Sequence, residues 1–107
     1  MGNMRKFLIF SLLLALLSSC GEYHRVQKST DYNYKFDYAK RAFEGKKYMQ
    51  AITLLSEVVT VFKGTDKAEE SLYLLALSHY ENKDYISSGA YFHTYYTRYP
   101  KGKYTEL

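Results

Sequence analysis

The chain has 107 residues with 15 basic and 11 acidic side chains, a formal charge of +4, thirteen tyrosines, six phenylalanines, no tryptophan and one cysteine. A single cysteine excludes a disulfide framework, and no Lys/Arg cluster of the kind that tracks a phosphate backbone is present, so nucleic acid is excluded as a partner. The aromatic content points instead to helix interfaces and half-wet binding surfaces, where tyrosine gives contact area and keeps a polar tip.

The N-terminus reads as an export signal. Met4-Arg5-Lys6 supplies two cations, and Phe7 to Leu17 is apolar except for Ser11. That stretch is too short to span a bilayer as a mature helix. A myristoylation start is excluded, because Lys6 stands where Ser or Thr is required. The string Leu17-Ser18-Ser19-Cys20 resembles a bacterial lipobox, which implies cleavage after residue 19 and lipidation (palmitate) of Cys20. Gly21 rather than Asp follows, which by the same resemblance argues against retention at the inner membrane.

Residues 1–19 are thus the predicted signal peptide, and 88 residues remain. Without Arg5 and Lys6 the basic side chains fall from 15 to 13 against 11 acidic ones, a net of +2. Residues 20–30 are expected to be a lipidated tether, since 21 to 28 show no periodicity. A chain this small without disulfides depends on apolar packing.

From Asp31 onward the sequence repeats at an offset of 37. Tyr38, Ala39, Tyr48, Ala51, Leu55, Val58, Val59 and Phe62 fall on Leu75, Ala76, Tyr85, Ser88, Phe92, Tyr95, Tyr96 and Tyr99. Such a period indicates stacked supersecondary units. Positions 51, 55, 58, 59 and 62, and again 88, 92, 95, 96 and 99, share one helical stripe. Breaks at Glu44-Gly45-Lys46-Lys47 and Glu81-Asn82-Lys83-Asp84 divide each unit into two helices, and Lys63-Gly64-Thr65 divides the units. Asp66 and Glu69 have capping-box spacing, and Pro100 ends the second unit. The expected fold is all-α: an α-solenoid of two helix pairs over 31–100, with the start of a third unit at 101–107.

These residues resemble a tetratricopeptide repeat. Ala39 and Ala76 take the small position of the first helix, Tyr48 and Tyr85 open the second helix, and Ala51 and Ser88 are its small packing residues. The period exceeds the usual value of about 34, and Lys63 replaces the terminal proline in the first unit. The strings Lys28-Ser29-Thr30-Asp31-Tyr32, Phe62-Lys63-Gly64-Thr65-Asp66-Lys67-Ala68-Glu69-Glu70 and Tyr91-Phe92 through Tyr99-Pro100 to Tyr104 are similar to the BamD family in its Bacteroidetes-type form. Those are lipoproteins of the outer-membrane β-barrel assembly machinery. The resemblance implies a longer protein of five repeats, of which this chain is an N-terminal part. It also implies an outer-membrane anchor on the periplasmic face, with BamA, other assembly-machinery subunits and unfolded outer-membrane protein segments as partners.

No catalytic constellation is legible, and neither an enzymatic activity nor a cofactor is expected. His24, His79 and His93 lack metal-ligand spacing, and His79 reads as a packed imidazole. If the resemblance holds, the first helix of each pair lines a concave groove made of Phe36, Lys40 and Phe43, then Tyr73, Leu77 and Tyr80. Phe36 with Tyr73 and Phe43 with Tyr80 would form two aromatic rows around Lys40, suited to a peptide with aromatic residues and a terminal carboxylate. The competing reading makes the same stripe core. Tyr23, Tyr32, Tyr34 and Tyr104 are expected to be partly exposed. Rival functions are a generic tetratricopeptide lipoprotein in envelope division or peptidoglycan synthesis, and a fragment of a SusD-like glycan-binding lipoprotein.

Overall fold

A computed structural model describes Lys6 and residues 21–105. The predicted lipidation site Cys20, the apolar stretch of the predicted signal peptide and residues 106–107 lie outside the described residues. Helices α1 (Tyr32–Glu44), α2 (Tyr48–Val61), α3 (Asp66–Glu81) and α4 (Tyr85–Arg98) follow a shorter helical segment at 21–28. Among the described residues there is no strand. The all-helical expectation is met, in a form compatible with an α-solenoid.

Local chemistry sets the helix ends. Asp31 is extended (φ −84°, ψ 95°) and its carboxylate accepts from the Tyr34 N–H at 3.2 Å, while Asp84 accepts from the Ser87 N–H at the same distance. Each satisfies an amide that has no partner within its helix. Gly64 supplies the positive φ (86°) of the turn between α2 and α3. α4 stops at Arg98, two residues before Pro100.

Connections of three or four residues turn each helix back against the one before it, so packing runs in sequence order, and α1 also touches α3. Where helices approach most closely the residues are small: Ala39, Ala51 and Ala76 are wholly buried, and the Ser88 hydroxyl donates to the Ala76 carbonyl at 3.0 Å. Around them lie Phe36, Tyr38, Leu54, Leu55, Val58 and Leu75.

The backbone repeats with the sequence. Gly45, Lys46 and Lys47 donate to the carbonyls of Arg41, Phe43 and Ala42 at 2.9, 3.0 and 2.8 Å. Thirty-seven residues on, Asn82, Lys83 and Asp84 donate to Ser78, Tyr80 and His79 at 3.0, 3.0 and 2.9 Å. Lys46 (φ 63°) and Lys83 (φ 65°) both occupy the left-handed region. The next turn recurs as well: bonds from Phe62 to Val58, Thr65 to Phe62 and Ala68 to Thr65 return as Tyr99 to Tyr95, Gly102 to Tyr99 and Thr105 to Gly102. The bond from Lys63 to Thr60 has no counterpart, because Pro100 carries no N–H.

Two expectations change. Residues 21–28 are helical rather than an unstructured tether: Val26 is fully buried in the core and Tyr23 stacks on Tyr38 with centroids 6.1 Å apart. The end of this segment is held by Lys35, whose side chain is 3% exposed and whose ammonium donates to the Gln27 carbonyl at 2.9 Å and to Glu57 at 2.8 Å. A lysine on a core-facing position is retained by pairing its charge. The capping box at Asp66 does not form, since Thr65 is the N-cap and has no side-chain cap bond. Glu69 instead accepts from the Tyr95 hydroxyl at 3.0 Å and the Lys103 N–H at 2.8 Å. Tyr104, although partly exposed as expected, stacks face to face on Tyr73 (4.4 Å, 5°).

Candidate binding cleft

Helices α1 and α3 touch, and charged side chains of both meet between them. At one end the Lys67 ammonium reaches the Asn33 amide oxygen and lies 5.3 Å from the Phe62 ring centre. In the middle, Lys40 pairs with Glu70 at 3.6 Å and lies 4.8 Å from the Phe36 ring centre. Beyond that pair lies open space. A cleft of about 280 Å³ opens there, lined by Lys40, Phe43, Glu44, Glu70 and Leu74.

The six groove positions expected from sequence divide. Lys40 and Phe43 line the cleft. Phe36 does not: at 3% exposure it belongs to the core, edge-on to Phe62 at 6.1 Å, and that expectation is corrected. Tyr73 turns the other way, toward Phe92 (6.1 Å), Tyr95 (5.7 Å) and the stacked Tyr104. Leu77 is half-buried outside the lining. Tyr80 is exposed, and its ring partner is Tyr85 (5.4 Å, 63°). The expected aromatic rows across units are therefore replaced by pairs within units, for Phe43 meets Tyr48 (5.7 Å, 65°) 37 residues before Tyr80 meets Tyr85.

Sequence reasoning missed Glu44, Glu70 and Leu74. Glu70 and Leu74 are one turn apart and share a face, and Leu74 lies one turn before Leu77. The stripe that meets α1 is thus rotated toward the start of α3 from the one chosen by matching residue types.

Charge shapes what the cleft can take. One ammonium, Lys40, and two carboxylates, Glu44 and Glu70, line the cleft, so an incoming carboxylate competes with Glu70 for Lys40. Both partners of that pair are about one third exposed (38% and 33%). Such pairs contribute about 0–1 kcal/mol, so the exchange is cheap. Phe43 and Leu74 offer an apolar floor, and the carboxylates offer acceptors for peptide N–H groups.

His79 stacks on Tyr91 (5.2 Å, 14°), the packed imidazole the sequence suggested, and its Nδ1 lies 3.4 Å from the Asp84 carboxylate without the alignment of a hydrogen bond. The Ser87 hydroxyl and N–H, and then the charge of His79, hold the Asp84 carboxyl below the usual range. Burial raises the phenols of Tyr38, Tyr95 and Tyr104. Among the described residues no group of His, Cys, Asp and Glu is arranged to hold a metal, and no helix is long and apolar enough to cross a membrane. Comparison with protein-family models, curated proteins and solved structures finds no match.

Proposed function

We propose that the chain is a lipid-anchored, non-enzymatic repeat protein of the tetratricopeptide type that binds unfolded outer-membrane protein segments for the β-barrel assembly machinery. The supporting observation is the recurrence, at an offset of 37 residues, of the same turn hydrogen bonds and the same left-handed lysines. Helix pairs stacked in that way carry a groove along their first helices, the position of the cleft at Lys40, Phe43, Glu44, Glu70 and Leu74. The lipobox-like Leu17-Ser18-Ser19-Cys20 supports an anchor through Cys20 on the periplasmic face of the outer membrane. The BamD-like strings support BamA as the machinery partner.

Binding of a C-terminal outer-membrane-protein peptide to the full chain tests the reading. Phe43→Ala and Leu74→Ser are expected to weaken it several-fold while leaving the helical signal intact, and Glu70→Gln to strengthen it by freeing Lys40 for the peptide carboxylate. Absence of any binding by the wild type, or binding indifferent to all three substitutions, refutes the cleft as the site. A rival peptidoglycan or glycan role predicts retention on those polymers and none on the peptide.

A further inference from the structure

Large apolar side chains are exposed at one end of the bundle. Met49 (61%), Tyr80 (52%), Tyr85 (59%) and Ile86 (90%) surround the α1–α2 and α3–α4 turns. The two turns meet there: the Asn82 amide donates to the Met49 sulfur at 3.2 Å, and Tyr80 and Tyr85 are a ring pair. Lys46 and Lys83 stand at the tips of the two turns in matching left-handed conformations. Tyrosine and aliphatic side chains with lysines at the tips are the composition of a surface that sits in a headgroup layer.

The chain enters the fold at this same end. Segment 21–28 runs back along α1: Glu22 lies 3.7 Å from Arg41, near the end of α1, while Gln27 is held by Lys35, near its start. Glu22, Arg41, Gly45 and Lys47 line one cleft, and Lys46, Lys47, Met49 and Asn82 line the next. Gly21 therefore joins the apolar stretch 7–17 and Cys20 to the fold beside these exposed side chains. Val26 and Lys35 fix the segment to the core.

We propose that the edge formed by the two turns, with Met49, Tyr80, Tyr85 and Ile86 outermost, rests in the headgroup layer of the membrane that holds the N-terminus, so that the protein is oriented rather than loosely tethered. This rests on the lipoprotein reading for the chemistry of the anchor. Glu44, Glu81 and Asp84 offset the nearby cations, so the contact is apolar and insensitive to salt and to lipid charge.

The absence of tryptophan from the chain makes single-tryptophan probes clean. Full-length Ile86→Trp, Met49→Trp and Val61→Trp proteins are reconstituted in phosphatidylcholine vesicles containing brominated lipid. Val61 is also exposed but ends α2 at the opposite end, roughly 20 Å away along the helix. Ile86→Trp and Met49→Trp are expected to lose most of their emission to the bromines and shift to the blue, and Val61→Trp to keep its emission, in low and high salt alike. Quenching of none of them, or of all three equally, in protein that floats with the vesicles overturns the proposal. Mass spectrometry of the same samples judges the anchor separately. An unmodified Cys20 refutes the lipoprotein reading, while the quenching pattern still decides the edge in a chain held by its uncleaved apolar stretch. Protein that fails to float overturns both.

Discussion

The buried ion pair between Lys35 and Glu57 makes an asymmetric prediction. The Lys35 side chain is 3% exposed and that of Glu57 is 43% exposed. Replacing Lys35 with Met removes the buried charge and leaves a carboxylate that water solvates. The Gln27 carbonyl loses its charged donor, and the expected loss is about 1–2 kcal/mol. Replacing Glu57 with Ala instead strands a buried ammonium on a single carbonyl, and the expected loss approaches about 3 kcal/mol, the lower end of the range for breaking a buried pair. For a domain of this size each kcal/mol moves the melting temperature by about 4–8 °C. Thermal melts followed by circular dichroism should therefore place Glu57→Ala clearly below Lys35→Met. Hydrogen exchange should show 21–28 losing protection in both. Equal melting temperatures, or the reverse order, would falsify the assignment of Lys35 as the desolvated partner.

Other substitutions follow from single contacts. A Cβ at Gly102 would meet the Glu69 carboxylate and come within 2.8 Å of the Tyr95 hydroxyl and the Tyr99 Cβ. Gly102→Ala is accordingly expected to expose the amides of 103–105 to exchange at a cost of about 1–3 kcal/mol, with α1 and α2 unaffected. Leu55→Ala empties a fully buried site between helices and should cost about 2–5 kcal/mol in chemical denaturation. Because burial raises the phenols of Tyr38, Tyr95 and Tyr104 above 10.0, their contribution to stability is intact below that pH and is lost as pH rises through the folded-state values. Denaturation midpoints that stay flat from neutral pH to well above 10 contradict it.

The four helices and their breaks were legible because a 37-residue period was written twice, so each boundary had an independent copy. Ala39, Ala51, Ala76 and Ser88 were readable as close-packing positions for the same reason. Segment 21–28 was not, since Tyr23 and Val26 alone cannot define a period, and its last turn is held by Lys35, whose own partner Glu57 lies on α2. Lys35 itself looks like a surface residue in any pattern of apolar positions. The groove was half-legible. Lys40 and Phe43 lie where spacing put them, but Tyr73 is drawn to Tyr95 and Tyr104 by ring stacking that no residue count reveals. Glu69 shows a similar limit, because capping-box spacing states an option and the tyrosine hydroxyl across the turn was the better partner.

Packing that proceeds from each helix to the next has a consequence for how the chain reaches this state. Each helix is joined to the next by only three or four residues, so little chain entropy is lost in bringing neighbours together, and proteins rich in such local contacts fold in about microseconds to milliseconds. A polypeptide emerging amino end first can consolidate α1 and α2 while α3 and α4 are still unfolded. The exception is the clasp from Lys35 to Glu57 and Gln27, which must wait for α2. Segment 21–28 thus emerges before the helices that hold it and locks only once the first helix pair stands.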